Sequence, residues 1–308
     1  MPDMIRTEAD VIRTEFEVLD ERFRGCCGGD AWVQRLYTGC RWTEGPAYFP
    51  AGRYLLFSDI PNDRVLRFDE TTGAVGVWRQ PAGYANGRTL DRQGRVISCE
   101  QGTRAVTRTE FDGTVTVLAD RWDGRRLNSP NDVVVRADGT VWFTDPSYGI
   151  DSDYEGARAP SETDGCHVYR VDPDGTVVQV AGDFERPNGL AFSADERQLY
   201  IVDTRRKHIR RFDVNANRLS GGEVLAECDA GSFDGIRIDH QNRIWAAAHD
   251  GLHCLDPADG ALLGKLRLPE ICANLTFGGP KGNILYVTAS NTLFSIMTNC
   301  TGASYPTG

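Results

Sequence analysis

One polar residue recurs at a fixed point of a repeating strand-turn-strand pattern: Glu44, Asn86, Asn131, Asn188, Asp234 and Asn274. Each opens a short apolar strand that runs through a turn into a second strand, as in NDVVVRADGTVWFTD and NGLAFSADERQLYIVD. The spacings of 42, 45, 57, 46 and 40 residues are those of a four-stranded propeller blade rather than of a helical repeat. The chain is therefore expected to be all-β, a six-bladed β-propeller. The innermost strand of every blade lines the central channel of such a fold, so six side chains from distant sequence converge on its axis. Two are carboxylates and four are carboxamides, all hard oxygen donors that suit calcium, magnesium or manganese. Taken singly, an Asn or Asp before a strand is an ordinary turn residue. In-register recurrence is what makes the set a candidate central axial metal site.

A second repeat supports the blade count. Arg67-Phe68-Asp69, Arg108-Thr109-Glu110, Arg170-Val171-Asp172, Arg211-Phe212-Asp213 and Cys254-Leu255-Asp256 each end an alternating strand before a turn containing Gly or Asn. These read as hairpins between outer strands. Thirty-three glycines and fourteen prolines are scattered along the chain, which fits many tight turns and no disordered tract. Residues 1–30 form a short N-terminal lead-in, expected as a helix or a strap on the outside of the propeller. The propeller itself covers 31–300, with blades beginning near Trp32, and 301–308 are a C-terminal tail. The longest interval holds an insertion, 146–165, rich in Gly, Asp, Ser and Pro. Long loops of this kind are often lids or binding loops, with Tyr148 and Tyr154 placed to stack on a sugar.

A formal charge of −10 disfavours nucleic acid and anionic membrane as partners, because phosphate binding needs a basic face. The run Arg205-Arg206-Lys207 reads as a solvated turn. No stretch approaches the roughly 20 apolar residues that cross a bilayer. The N-terminus interleaves Asp, Glu and Arg where a signal peptide would carry an apolar core, so a cytoplasmic protein is expected, as a monomer or small homo-oligomer. Nine cysteines without a C-x-x-C spacing read as reduced thiols; Cys26 with Cys27, or Cys272 with Cys300, are the pairings that sequence leaves open.

An axial site of Glu44, Asn188 and Asp234, with Asn131 nearby, leaves coordination positions open for water or substrate. A cation held there can polarise a carbonyl and lower the pKa of bound water, the metal roles in ester and lactone hydrolysis. Asp234 is the better candidate for a base, with Glu44 as the anchor. No rival catalytic set stands out. Gly-x-Ser-x-Gly is absent, which leaves a nucleophile elbow unsupported. None of the five histidines falls at the recurring position, so all read as structural. Trp42, Trp142 and Trp245 read as packing between blades.

The segments Thr43-Glu44-Gly45-Pro46, Asn128-Ser129-Pro130-Asn131-Asp132, Phe143-Thr144-Asp145-Pro146, Pro187-Asn188-Gly189-Leu190-Ala191-Phe192-Ser193 and Asp234-Gly235 together resemble the gluconolactonase branch of the senescence marker protein (regucalcin) family. The resemblance covers about residues 15–297. It implies a six-bladed propeller that hydrolyses a sugar lactone with one divalent cation, calcium first, with magnesium, manganese, zinc or iron as alternatives. It puts Glu44, Asn188 and Asp234 at the metal-ligand positions, Asp234 also at that of the general base, and Asn131 at a metal or substrate contact. Asn86 and Tyr148 join Asn131 as expected substrate contacts. Two departures bear on specificity. Ser129 stands where regucalcin-like members carry Arg, with Arg126 as a candidate substitute, and Gln101 stands where many relatives carry His. Other ester or phosphotriester chemistry at the same axis, or a non-catalytic propeller tied together by its cation, are the alternatives.

Overall fold

The computed structural model describes residues 11–26, 28 and 32–303. The first ten residues of the expected lead-in, Cys27 and the end of the expected tail lie outside the described residues. Six antiparallel sheets of four or five strands form six blades. The innermost strands are Thr43–Phe49, Ala85–Leu90, Val133–Val135, Pro187–Phe192, Ile236–Ile238 and Cys272–Gly278 in blades one to six. Among the described residues, no helix is long and apolar enough to cross a membrane.

Chain closure uses the two ends. The fourth strand of blade six is Val33–Thr38, which pairs with Thr292–Met297, so the residues just past Trp32 complete the last blade rather than begin the first. Two short strands before it extend neighbouring edges: Val11–Ile12 joins blade six through Val33–Thr38, and Phe16–Val18 joins blade five through Leu262–Arg267. The lead-in thus straps the outer rim where the ring closes.

Burial follows the position of each strand. The second strands, such as Val141–Asp145 and Ile244–Ala248, are buried throughout, because sheet faces pack against both neighbours. Outer strands such as Arg218–Glu227 are largely exposed. Trp142 and Trp245 are fully buried. Trp142 packs with Leu190, Leu199 and Ile201 of blade four, and Trp245 with Leu275 and Phe277 of blade six. Fully burying each large apolar side chain stabilises by about 1.5–3 kcal/mol, so the core lies between blades and the axis is left to polar groups. The eight described cysteines are all free, Cys272 and Cys300 included.

Candidate functional site: an axial pocket of buried oxygens

The first inner-strand residue at the axis is followed by glycine in four blades: Gly45, Gly87, Gly189 and Gly235. A Cβ on Gly45 would lie 2.0 Å from the Asn86 carbonyl oxygen, and one on Gly87 2.4 Å from that of Asn131. Inner strands meet there too closely for any side chain, and the Gly87 N–H donates to the Asn131 carbonyl at 2.7 Å. This contact fixes the preceding residues as a ring. A second device sets their approach. Asp59, Asp145 and Asp203, each closing a second strand, accept from the backbone two or three residues before an axial side chain. Asp59 binds the Arg41 N–H at 2.9 Å, Asp145 those of Asn128 and Ser129 at 2.8 Å, and Asp203 those of Glu185 and Arg186 at 2.8 and 3.1 Å. Burial pushes the Asp145 carboxyl up to about 7, against the two N–H donors that lower it.

Glu44, Asn86, Asn131, Asn188 and Asp234 line one axial cavity of about 330 Å³, together with Trp42, Tyr148, Glu155, Thr204, Ser232 and His249. The first four are buried, while Asp234 keeps some exposure toward the cavity. The sixth recurring residue stands behind this set. Asn274 donates to Glu44 Oε2 at 3.0 Å and to Asp132 Oδ2 at 3.4 Å, and its own Oδ1 accepts from the Leu275 N–H at 2.9 Å. Blade three has Asp132 where four other blades have glycine, and Asp132 pairs with Arg237 at 3.4 Å. The fully buried Arg88 donates to the Gly45 carbonyl and to Ser58 Oγ, both at 2.6 Å. Neither arginine forms a hydrogen bond or ion pair with a pocket carboxylate among the described residues.

Electrostatics mark the pocket as short of positive charge. Burial, followed by the Asp132 charge, pushes the Glu44 carboxyl up to about 8. Asp234 is raised well above the usual carboxylate range by burial and then by Glu44, Asp132 and Glu155. Burial likewise lifts Glu155 to about 7. Three buried oxygens facing this region, Asn86 Oδ1, Asn188 Oδ1 and Asp234 Oδ1, have no hydrogen-bond partner. Orphaned acceptors beside two carboxylates that have no ion-pair partner among the described residues fit a hard divalent cation, which takes six or more oxygen ligands and leaves some for water or substrate.

The other residues expected to touch substrate divide. Tyr148, on the short helix Tyr148–Asp151 of the insertion, lines the pocket. Tyr154 is 52% exposed and is not among the lining residues. Gln101 is fully buried, with neither amide atom partnered; a Cβ on Gly149 of the helix would stand 2.5 Å from its own Cβ. Arg126 lies in a separate hairpin, donating to the Thr103 carbonyl at 3.1 Å. Neither Gln101 nor Arg126 lines the pocket. Conversely, Trp42 and His249 do, against the expectation that both were structural. A register signal was available: Gln101, Thr204 and His249 each immediately follow the second strand of their blade.

A second group, Asp229, Asp250 and His253, brings three potential ligand atoms within 4.8 Å of one another. Lys265 Nζ already sits 2.6 Å from Asp229 and 3.2 Å from Asp250, and the Arg267 guanidinium also pairs with Asp250. These side-chain cations satisfy the charge that a metal would otherwise neutralise, so the group is an ion-pair network.

Comparison with known proteins assigns the chain to a family. The family model described as the SMP-30/Gluconolactonase/LRE-like region matches residues 42–291. A gluconolactonase of Zymomonas mobilis is 30% identical over 297 residues, covering 88% of this chain and 82% of that protein. A pentonolactonase of Haloferax volcanii is 30% identical over 262 residues, covering 82% and 83%. The solved structure of a Xanthomonas campestris gluconolactonase superposes with a TM-score of 0.88 at 34% identity, covering 96% of this chain and 99% of its own. With a matching model that runs from the first inner strand to the last blade, the chain belongs to the SMP-30/gluconolactonase/LRE-like family.

Proposed function

We propose that this chain hydrolyses a sugar lactone to its aldonic acid in the axial pocket, with one divalent cation, calcium first, as cofactor. The observation that carries the reading is the convergence of Glu44, Asn188 and Asp234 around unpartnered buried oxygens, in a chain whose lactonase relatives cover more than four-fifths of its length. Glu44, Asn188 and Asp234 would hold the cation. When bound, it would supply Lewis-acid polarisation of the lactone carbonyl and stabilise negative charge on the carbonyl oxygen.

The chain's own groups do the rest. Glu44 is locked by the Gly45 N–H at 2.8 Å and by Asn274 at 3.0 Å on the same oxygen, which suits an anchor. Asp234, partly open to the cavity and with one oxygen unpartnered, suits a base that takes the proton from an attacking water. Asn86 and Asn131 offer amides for sugar hydroxyls. Tyr148 covers one side of the pocket, and its ring is backed by the Arg186 guanidinium 5.2 Å from the ring centre. Gln101 acts from beneath, packing under the helix that carries Tyr148.

A pH-indicator assay tests the reading. Glucono-, galactono-, xylono- and arabinono-lactones and a neutral aryl ester are offered to the protein as prepared, after chelation, and with calcium, magnesium, manganese or zinc restored. Turnover of at least one sugar lactone, lost on chelation and regained with a cation, is expected. A folded, cation-loaded protein that cleaves only the aryl ester would move the reading to other esters, and one that cleaves nothing would leave a binding propeller.

A further inference from the structure

The basic run in the turn after Thr204 is split by the fold. Arg206 faces outward, where its guanidinium pairs with Glu185 at 3.2 Å and donates to the Asp183 carbonyl at 2.8 Å. Arg205 and Lys207 instead line a second cavity of about 410 Å³, with Arg186 as the third cation. This cavity shares Tyr148, Thr204, Ser232 and His249 with the axial pocket, and among the described residues no carboxylate lines it. Arg186 is engaged with Asp151 at 2.9 Å. No carboxylate pairs with Arg205 or Lys207 among the described residues.

Arg205 and Lys207 thus stand on one turn at the cavity without an ion-pair partner among the described residues, in a chain of formal charge −10. Their placement also sorts charge along one continuous cleft. The axial end carries Glu44, Glu155 and Asp234, and the far end carries Arg186, Arg205 and Lys207. A substrate whose carbonyl reaches the axial end would extend its opposite end between Tyr148 and His249 into the cationic cavity. Guanidinium forks and an ammonium recognise phosphate and carboxylate oxygens, and a cleft lined by one sign of charge draws in ligands of the other.

We infer that this second cavity is a subsite for an anionic group, and that the preferred substrates are sugar lactones bearing a phosphate ester or a carboxylate at the end remote from the lactone carbonyl. The inference rests on the lactonase reading above for the identity of the reacting group.

The test compares glucono-1,5-lactone, its 6-phosphate and a glucaro-lactone, on the wild type and on Arg205→Gln/Lys207→Gln, both positions being exposed turn residues. One anionic lactone is expected to exceed the neutral lactone in kcat/KM by about tenfold or more, the size of one or two charge-assisted contacts. The double variant should erase that preference while hydrolysing the neutral lactone at an unchanged rate, and added salt should slow only the anionic substrate. The phosphate and carboxylate arms show which anion the cavity takes. An anionic-to-neutral ratio that is the same in both proteins, or a wild type that prefers the neutral lactone, overturns the subsite. Calorimetry with 6-phosphogluconate against gluconate on the cation-loaded protein separates the two readings. If no lactone is hydrolysed, the lactonase reading fails, and the subsite stands only if the phosphorylated acid binds about tenfold tighter and loses that margin in the double variant.

Discussion

Two acidic clusters in this propeller hold similar groups and are built to opposite ends. At Asp229, Asp250 and His253, every carboxylate has a side-chain cation: Lys265 reaches both aspartates and Arg267 reaches Asp250. His253 Nε2 lies 2.7 Å from Asp250 Oδ1. In the axial pocket, neither Glu44 nor Asp234 has an ion-pair partner among the described residues. Arg237 is held by Asp132, and Arg88 by a carbonyl and a hydroxyl. Proximity of carboxylate and imidazole ligand atoms alone, with amide oxygens left out, would favour the first cluster as a metal site. Charge accounting favours the second, because the Arg88 charge acts on Glu44 without an ion pair, and buried carboxylates without a direct ion-pair partner are costly unless something outside the chain neutralises them. What separates an ion-pair network from a cation site is therefore whether the sequence has already provided the positive charge.

The largest effect that sharpens this contrast is on turnover. Asp234→Asn keeps the shape and one ligand oxygen, now an amide carbonyl, but removes the charge and the base, and is expected to lower kcat for a sugar lactone by about a thousandfold, with the circular dichroism spectrum unchanged. Asp229→Asn in the other cluster should leave kcat within about twofold. Equal losses in the two variants would break the distinction.

Cation binding gives the next contrast. Calorimetric titration of the chelated protein with calcium should show one binding event, weakened by about a hundredfold or more in Glu44→Gln, which removes a charged ligand, and unaffected in His253→Ala. A second event that survives Glu44→Gln and vanishes in His253→Ala would show that Lys265 and Arg267 do not satisfy the acidic cluster.

Titration follows with a definite sign. In the metal-free protein Glu44 holds its proton up to about 8, against 4.5 for an unperturbed glutamate. Between those values the unfolded chain has lost a proton that the folded chain keeps, so stability falls as pH rises through that window. Asp234 is shifted in the same direction. A bound cation reverses this by favouring the ionised carboxylates. Asp145, raised to about 7 by burial, adds its own downward slope whether or not the cation is present, so the informative readout is the difference. The gain in Tm on adding cation should be larger at pH 8.5 than at pH 5.5, and a gain independent of pH would remove Glu44 and Asp234 from the site.

Much of this contrast was legible in sequence, and for a physical reason. The axial residue, the glycine after it and the acid that closes the second strand recur because the same close approach and the same loop clamp are needed in successive blades. The recurrence of the axial residue at the head of a strand-turn-strand pattern was enough to expose the fold and five of the residues lining the pocket. It could not show that Asn274 would stand behind Glu44, which depends on Asp132 occupying a glycine position in a different blade. Nor could it show the closure of blade six by Val33–Thr38, a pairing across almost the whole chain. His249 carries the register signal of directly following a second strand, whereas Trp42, Arg205 and Lys207 read as packing or a solvated turn because loop residues carry no strand periodicity. Their role at the pocket walls follows from how blade ends converge, which local pattern does not encode.

The smallest effect tests the ion-pair network itself. Lys265 is 4% exposed, whereas Asp229 is exposed and Asp250 partly so, so the ammonium is desolvated while its carboxylates retain access to water. Replacing it by a similar apolar shape in Lys265→Met removes the desolvation cost of the ammonium along with the attraction. Asp229 can then be hydrated, and Arg267 remains on Asp250. The balance is expected to be a loss of only about 1–2 kcal/mol in urea denaturation, far below the 3–5 kcal/mol typical of stranding a fully buried charge. The variant also asks whether positive charge is what keeps metal out. With Lys265 gone, millimolar calcium should recover part of the lost stability through Asp229, Asp250 and His253, an effect that wild-type protein with its axial site already filled does not show. If calcium leaves Lys265→Met unchanged, the cluster lacks the geometry of a cation site even when its countercharge is reduced, and the contrast with the axial pocket lies in ligand arrangement as much as in charge.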